Sequence, residues 1–184
     1  MDITSQINWG PGNIDVDPCF VSPGFFVNRY DPNITVAEDD PNAFWLEGDM
    51  HLKSNGWRWD KSTGQWDYDT VTSRCIDAGN PASSLADEPL SVPVDPTNNR
   101  GQNLRINIGA YGGTAEASIA PYDWAILADI NNDGLVNLDD YAFFARHWFS
   151  TEQTVPGNLN RDSIIDQSDL EYIADDWLKT TIWK

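Results

Sequence analysis

Hydrophobic and polar positions follow two different patterns along this chain, and the change lies near Pro121. Before it, glycine, proline, asparagine and aspartate recur every few residues, as in VSPGFF, RYDPNI and DAGNPA. Turn residues at that density disfavour long helices and favour short strands joined by loops. The predicted strands are Cys19–Val21, Phe25–Val27, Ala43–Leu46, Thr70–Cys75 and Leu104–Ile108.

The last of these strands has the clearest alternation. Leu104, Ile106 and Ile108 fall on one side of an extended chain, and Arg105 and Asn107 fall on the other. The alternation predicts a strand with an apolar and a polar face.

After Pro121, two stretches have apolar residues at helical spacing. The first stripe is Tyr141, Phe144, Ala145, Trp148 and Phe149, and the second is Leu170, Ile173, Ala174, Trp177 and Leu178. This spacing predicts two amphipathic helices whose stripes pack against each other as core. We therefore divide the chain into a β and loop region, 1–120, and a helical region, 121–184.

The helical region contains an internal repeat with an offset of 29 residues, the separation of Asp129 and Asn158. DINNDGLVNLDDYAFFARHWF aligns with NLNRDSIIDQSDLEYIADDWL, and the aligned pairs include two aspartates and one asparagine inside the first part of each segment. An alanine and a tryptophan also align further on. Each unit of the repeat is a loop followed by a helix.

The loops carry oxygen at the spacing that calcium requires. Calcium takes about six to eight oxygen ligands, and a twelve-residue loop supplies them from positions 1, 3, 5, 7, 9 and 12. In the first loop these positions are Asp129, Asn131, Asp133, the Leu135 carbonyl, Asn137 and Asp140, with Gly134 at the sharp turn of position 6. Val136, at position 8, is suited to pairing the two loops across a short strand.

The second loop offers a similar set. Its predicted ligands are Asn158, Asn160, Asp162, the Ile164 carbonyl, Asp166 and Asp169. It departs from the pattern with Asn158 at position 1 and Ser163 at position 6, where a positive φ costs about 1 kcal/mol. Each predicted ligand set contains three carboxylates. We expect two calcium ions, the second bound more weakly, and folding of 123–184 coupled to the metal. The alternative is a pair of surface turns rich in Asp and Asn.

Tandem loop–helix calcium repeats with aspartate at position 12 resemble a dockerin domain over residues 123–184. The resemblance implies a small all-α module that binds two calcium ions through the residues above and attaches an extracellular or cell-surface protein to a cohesin domain. In that family, partner choice rests on small hydroxyl residues at loop positions 10 and 11. Here these positions are Leu138, Asp139, Gln167 and Ser168, so the usual cohesin partner is in doubt.

The upstream segments GPGNIDVDPCF, RCIDAGNPA and RINIGAYGGTAEAS resemble the last coils and closing segment of a right-handed parallel β-helix. Such segments occur in polysaccharide-lyase-like and adhesin-like secreted proteins. A solenoid needs about three repeats to bury its core, and only a few coils fit here. We therefore expect residues 1–70 to be poorly ordered without further coils.

Three tryptophans, Trp57, Trp59 and Trp66, lie within ten residues. Exposed tryptophan beside polar residues is typical of a surface that stacks on sugar rings. The alternative is that the rings are structural and cover the end of a β-stack.

Composition limits the partners. A formal net charge of −18 disfavours nucleic acid and anionic membranes, and no apolar run approaches a membrane span. Cys19 and Cys75 fit either one disulfide in an oxidising compartment or two buried thiols.

No residue is assigned a catalytic role, because His51 and His147 are the only histidines and no nucleophile motif accompanies them. The leading hypothesis is a calcium-dependent docking module on an extracellular, polysaccharide-associated protein. The alternatives are a fragment of a carbohydrate-active enzyme, either a polysaccharide lyase or a glycosidase, and a tryptophan-based carbohydrate-binding surface.

Overall fold

Seven short strands precede two short helices in the computed structural model, which describes residues 12–92 and 100–184. The strands are β1 (Phe20–Ser22), β2 (Phe25–Asn28), β3 (Asp31–Thr35), β4 (Ala43–Leu46), β5 (Asp49–Leu52), β6 (Arg58–Asp60) and β7 (Gln65–Asp67). The helices are α1 (Leu138–Arg146) and α2 (Gln167–Asp175). Residues 1–11 of the predicted first region lie outside the described ranges.

The strands form three small sheets. β1 pairs with β5, β2 lies between β3 and β4, and β6 pairs with β7. Every pairing between these strands is antiparallel. The predicted parallel β-helix is therefore wrong, because its coils would bring parallel strands together.

Tight turns explain the antiparallel pairing. Between β6 and β7 the Asp60 carboxylate accepts the Ser62 amide, and the Gly64 amide donates to the Asp60 carbonyl at 2.8 Å. Gly64 has a φ of +65°, which favours glycine. The chain reverses at this turn, so consecutive strands pair as a hairpin instead of forming a solenoid coil.

Three of the five predicted strands correspond to strands in the structure. Ala43–Leu46 has the bounds of β4, and the first two predictions overlap β1 and β2. Thr70–Cys75 and Leu104–Ile108 form turns and irregular backbone instead.

The polarity of Leu104–Ile108 is the reverse of the prediction. Arg105 and Asn107 are buried, whereas Ile108 is 40% exposed. The buried side chains face polar partners, since Arg105 donates to the Gly79 carbonyl and Asn107 donates to the Ser118 carbonyl. Alternation is present, but the interior on this side of the segment is polar.

The C-terminal region is not the predicted all-α domain. It contains α1 and α2, each of nine residues, and long loops around them. Each helix begins at a capping box formed by Asn137 with Asp140, or by Asp166 with Asp169. Beyond each helix a residue adopts a left-handed backbone, Phe149 with φ +63° and Leu178 with φ +62°, and this conformation ends the helical turn.

Each loop pairs with the segment that follows the helix of the other copy. The Phe149 amide donates to the Ile165 carbonyl at 2.8 Å, and the Leu178 amide donates to the Val136 carbonyl at 2.9 Å. The predicted pairing of Val136 with the second loop is therefore wrong. Both position-8 residues are fully buried in one core cluster, which consists of Ala128, Ile130, Val136, Phe144, Val155, Leu159, Ile165 and Ile173.

The predicted helix stripes are mostly exposed. Phe144 and Ile173 are buried, and Leu170 packs against the core. The exposed members are Tyr141, Ala145, Trp148, Phe149, Ala174, Trp177 and Leu178. The stripe prediction is wrong for two reasons. The helices end before their last stripe members, and Tyr141, Ala145 and Ala174 face solvent within the helices.

A second core cluster lies upstream and contains Leu52, Cys75, Ile76 and Ala120. Cys75 is buried, Cys19 is half-buried, and both are free thiols in this structure. Burial raises the pKa of the Cys75 thiol.

Candidate metal centre

The two predicted calcium loops, residues 129–140 and 158–169, are both described, and their position-12 carboxylates organise them. Asp140 and Asp169 are fully buried. Asp140 accepts three backbone amides, from Ile130 at 2.7 Å, Asn131 at 3.2 Å and Asn137 at 2.9 Å. Asp169 accepts the corresponding amides of the second loop, those of Leu159 at 2.7 Å, Asn160 at 3.0 Å and Asp166 at 2.9 Å.

Positions 3, 5 and 7 also repeat their bonds. The position-5 carboxylate accepts the position-7 amide, Leu135 to Asp133 at 2.9 Å and Ile164 to Asp162 at 2.8 Å. The position-3 amide group donates to the same carboxylate, Asn131 to Asp133 at 3.2 Å and Asn160 to Asp162 at 2.9 Å. The internal repeat is therefore a repeat of three-dimensional bonding as well as of sequence.

The copies differ where their sequences differ. In the first loop, Asp129 accepts the Gly134 amide at 2.8 Å, and Gly134 has a φ of +85°. In the second, the Asn158 amide group donates to the Asp162 carbonyl at 3.0 Å.

Ser163 is absent from the residues with positive φ in the described ranges, so the strain predicted there is wrong. Left-handed backbone occurs instead at position 4 of each loop, at Asn132 and Arg161, with φ of +59° and +58°.

Burial raises the affinity of two first-loop carboxylates for protons. Removal from water raises the pKa of Asp129 to about 6, against the opposing effect of the Gly134 amide. Burial likewise raises the pKa of Asp140. A buried carboxylate is costly as an anion, and a bound cation would offset that cost.

The donor chemistry fits calcium better than it fits zinc, because oxygen ligands predominate and no cysteine or histidine lies in either loop. Among the described residues, however, no group of three or more His, Cys, Asp or Glu side chains is placed to hold a metal ion. A calcium ion in either loop would need Asn and main-chain carbonyl oxygens as well. The carboxylates would exchange some amide hydrogen bonds for the ion.

Several large apolar side chains along and just beyond the two helices are exposed. Those of the first copy are Leu138, Tyr141, Trp148 and Phe149, exposed by 68%, 42%, 39% and 65%, and those of the second are Tyr172, Trp177 and Leu178, exposed by 39%, 41% and 63%. We call this set the helix-end surface. The predicted partner-binding residues Leu138, Asp139, Gln167 and Ser168 are all exposed.

The three tryptophans predicted to bind carbohydrate lie on or beside the β6–β7 hairpin, and all three are half-buried. Trp59 and Trp66 are cross-strand partners with their rings edge to face at 5.6 Å. Trp57 packs edge to face with Tyr68, and the Arg100 guanidinium lies over both rings. This packing is typical of a structural aromatic cluster.

Two buried polar groupings have no local signal in the sequence. His51 is buried, contacts the Asp49 carboxylate through Nδ1, and places Nε2 3.4 Å from Glu116. Asp77 and Glu88 are buried carboxylates that accept backbone amides of residues 104–113. Burial raises the pKa of Asp77 to about 7. Asp49 is near His51 in sequence, but Glu116 and the amides bound by Asp77 and Glu88 are remote from their partners, so no short motif marks either grouping.

Comparison with protein-family models, curated proteins and solved structures finds no match to this chain. None of the helices in the described ranges has the length and apolarity needed to cross a membrane.

Proposed function

We propose that residues 121–184 form a calcium-dependent docking module of the dockerin type. It binds two calcium ions in the loops 129–140 and 158–169 and presents the helix-end surface to a cohesin-type domain. The module belongs to an extracellular or cell-surface protein associated with polysaccharide. The observation that carries the proposal is the residue-by-residue repetition of the hydrogen bonds around Asp140 and Asp169.

The position-12 carboxylates support the calcium part of the proposal. Each carboxylate accepts backbone amides of its loop and also belongs to the first turn of its helix. One side chain therefore fixes both the loop and the start of the helix. Calcium supplies positive charge to the carboxylates of the loop. Its binding would hold the loop, the helix start and the exposed side chains of that helix in one arrangement.

The helix-end surface supports the docking part. Its apolar side chains belong to both copies and lie beyond or along short helices that bury Phe144 and Ile173. Large apolar groups exposed together mark interaction sites, and aromatic residues are enriched in interface cores. A partner that covers this surface removes these side chains from water.

Calorimetric calcium titration of the whole chain tests the metal sites. The wild type is expected to bind two ions, and Asp133→Ala with Asp162→Ala is expected to lose both. The matched control is Glu171→Ala with Asp175→Ala, which removes two exposed carboxylates from α2 and should keep both ions. Equal calcium binding by the two double variants contradicts the proposal.

Capture on immobilised cohesin domains, with calcium or with chelator, tests docking. Phe149→Ala with Leu178→Ala should lose capture while keeping its calcium heats. Tyr30→Ala, at an upstream residue that is 81% exposed, is the control and should be captured normally. Capture that persists in chelator rejects the calcium-dependent mechanism.

A further inference from the structure

Position 4 of each loop lies outside the predicted ligand set, and its side chain contacts the upstream region. Calcium ligands come from positions 1, 3, 5, 7, 9 and 12, so Asn132 and Arg161 are not among them. Both residues have left-handed backbone. Because the two copies share this conformation, their side chains leave the loops in equivalent ways.

Both side chains bind main-chain carbonyls of two upstream stretches that are hydrogen-bonded to each other. The Asn132 amide group donates to the Ala78 carbonyl at 2.6 Å. The Arg161 guanidinium donates to the Pro81 carbonyl at 2.9 Å through Nε and to the Leu104 carbonyl at 2.6 Å through Nη2. We call residues 77–81 together with 103–108 the receiving segment.

A further hydrogen bond runs from a side chain of the upstream region to the first loop. Arg105 is 1% exposed, and its Nη1 donates to the carbonyl of Asp129, the first residue of the first loop, at 2.6 Å. Its Nε and Nη2 both donate to the Gly79 carbonyl, at 2.9 and 2.7 Å. A buried guanidinium that loses an acceptor is costly, so Arg105 ties the receiving segment to the position of the loop.

Hydrogen bonds between residues 77–81 and residues 103–108 hold the receiving segment together. The Gly79 amide donates to the Ile106 carbonyl at 2.8 Å, and the Asp77 amide donates to the Asn107 side chain at 2.8 Å. The Asp77 carboxylate accepts the amides of Leu104 and Arg105. Opening this segment would break the bonds that connect it to both loops.

We infer that calcium binding in the two loops is energetically coupled to the stability of the receiving segment, through Asn132, Arg161 and Arg105. The inference rests on the proposed calcium function. Without the ion, repulsion among the loop carboxylates makes the loops less stable, so the contacts of the upstream carbonyls and of Arg105 with the loops open more often. With the ion, the loops are fixed and the receiving segment is protected. Linkage makes the effect reciprocal, so loss of the contacts weakens calcium binding by the same factor.

Hydrogen exchange on the full chain, with calcium and with chelator, tests this coupling. Calcium should slow exchange at the amides of Gly79, Leu104 and Arg105 by about fivefold or more. The sheet β3–β2–β4 makes no hydrogen bond to either loop in the described ranges and serves as the internal reference. Its exchange should not respond to calcium.

The variant pair Asn132→Gly with Arg161→Gly removes both position-4 side chains, and glycine keeps the left-handed backbone available. The double variant should still bind two calcium ions by calorimetry but lose most of the slowing in the receiving segment, because only the Arg105–Asp129 contact remains. Arg146→Ala removes an exposed positive charge from α1 and should behave as the wild type. Arg161→Lys keeps the positive charge but cannot donate to both carbonyls at once. It should therefore retain part of the slowing of exchange, and it provides a second test if the double variant folds poorly.

The outcomes separate the two proposals. If calorimetry detects calcium binding by the wild type but calcium does not slow hydrogen exchange in the receiving segment, the coupling is wrong and the docking module is unaffected. Undiminished slowing in the double variant also overturns it. Absence of calcium heat overturns the metal sites and the coupling together.

Discussion

The first and second loop–helix copies reach the same arrangement by different local bonds. In the first, a carboxylate at position 1 accepts the amide of a left-handed glycine, Asp129 to Gly134. In the second, the amide group of Asn158 donates to the Asp162 carbonyl. The copies share the buried carboxylate at position 12 with its three amides, the bonds among positions 3, 5 and 7, and a position-5 amide that donates to the position-1 side chain at 3.1 Å. The comparison teaches that these shared bonds keep one loop conformation although the residues at positions 1 and 6 differ.

The largest expected effect comes from removing the shared carboxylate. Asp140→Ala and Asp169→Ala should each lower the free energy of unfolding by about 3 kcal/mol or more, because three amides lose their acceptor at roughly 1–3 kcal/mol each. Urea denaturation in excess chelator measures this without any contribution from metal.

The two losses should agree within about 1 kcal/mol, given the usual context dependence of such values. Asp175→Ala, at an exposed carboxylate of α2, is the control and should change stability little. A large loss in one copy beside a small loss in the other would break the equivalence at position 12.

Position 6 should separate the copies next. Gly134→Ala should destabilise the chain by about 1–2 kcal/mol, because a left-handed backbone disfavours alanine. Its added carbon would also lie 2.8 Å from Thr181 Oγ1 and from the Trp183 ring. Ser163→Ala should change stability by less than about 0.5 kcal/mol. Thermal or urea unfolding measures both, and equal losses would contradict the difference between the two turns.

Position 1 should set the relative calcium affinities. Asn158→Asp adds a charged ligand and should tighten the second site by about tenfold, or about 1.4 kcal/mol. Asp129→Asn should weaken the first site by a similar factor. Calorimetric titration of each variant measures these shifts, and Ser168→Ala, outside the predicted ligand set, is the control. Affinity that does not follow the charge at position 1 would remove this position from the ligand set.

The smallest effect concerns a contact unique to the first copy. The Lys184 ammonium lies 3.4 Å from the Asp133 carboxylate, and both side chains are 40% exposed. Exposed ion pairs contribute about 1 kcal/mol or less, so Lys184→Ala should change stability only slightly. At low salt it should also tighten calcium binding in the first loop, since a competing cation is removed. Lys179→Ala provides a comparison, because Lys179 pairs with Asp176 outside the loops.

Sequence reasoning located the repeat and the loop positions because their signal is local. Positions 1 to 12 lie in one short stretch, and side-chain oxygens at fixed spacing produce the same turns in both copies. The three-residue spacing of Asn137 and Asp140 is also a local signal for a helix start, but the sequence prediction used these residues only as calcium ligands. The predicted metal and the docking partner stay predictions.

The same reasoning failed where the interior is polar or the chain turns back. Leu104–Ile108 alternates as a strand does, yet its buried side consists of Arg105 and Asn107, whose partners Gly79 and Ser118 are remote in sequence. The parallel β-helix prediction failed because glycine-rich turns are equally compatible with hairpins. The stripe prediction failed because spacing shows neither where a helix stops nor how much of its apolar side the rest of the chain covers.

Phe149 and Leu178 hold a backbone conformation that glycine would adopt without strain, and each exposes a large apolar side chain at that point. Substitution by glycine at both should therefore make the chain more resistant to denaturation while removing two large exposed apolar side chains of the helix-end surface. Durability and adhesiveness are thus opposed at the same two residues. A sequence optimised only to stay folded would have no reason to place phenylalanine and leucine there.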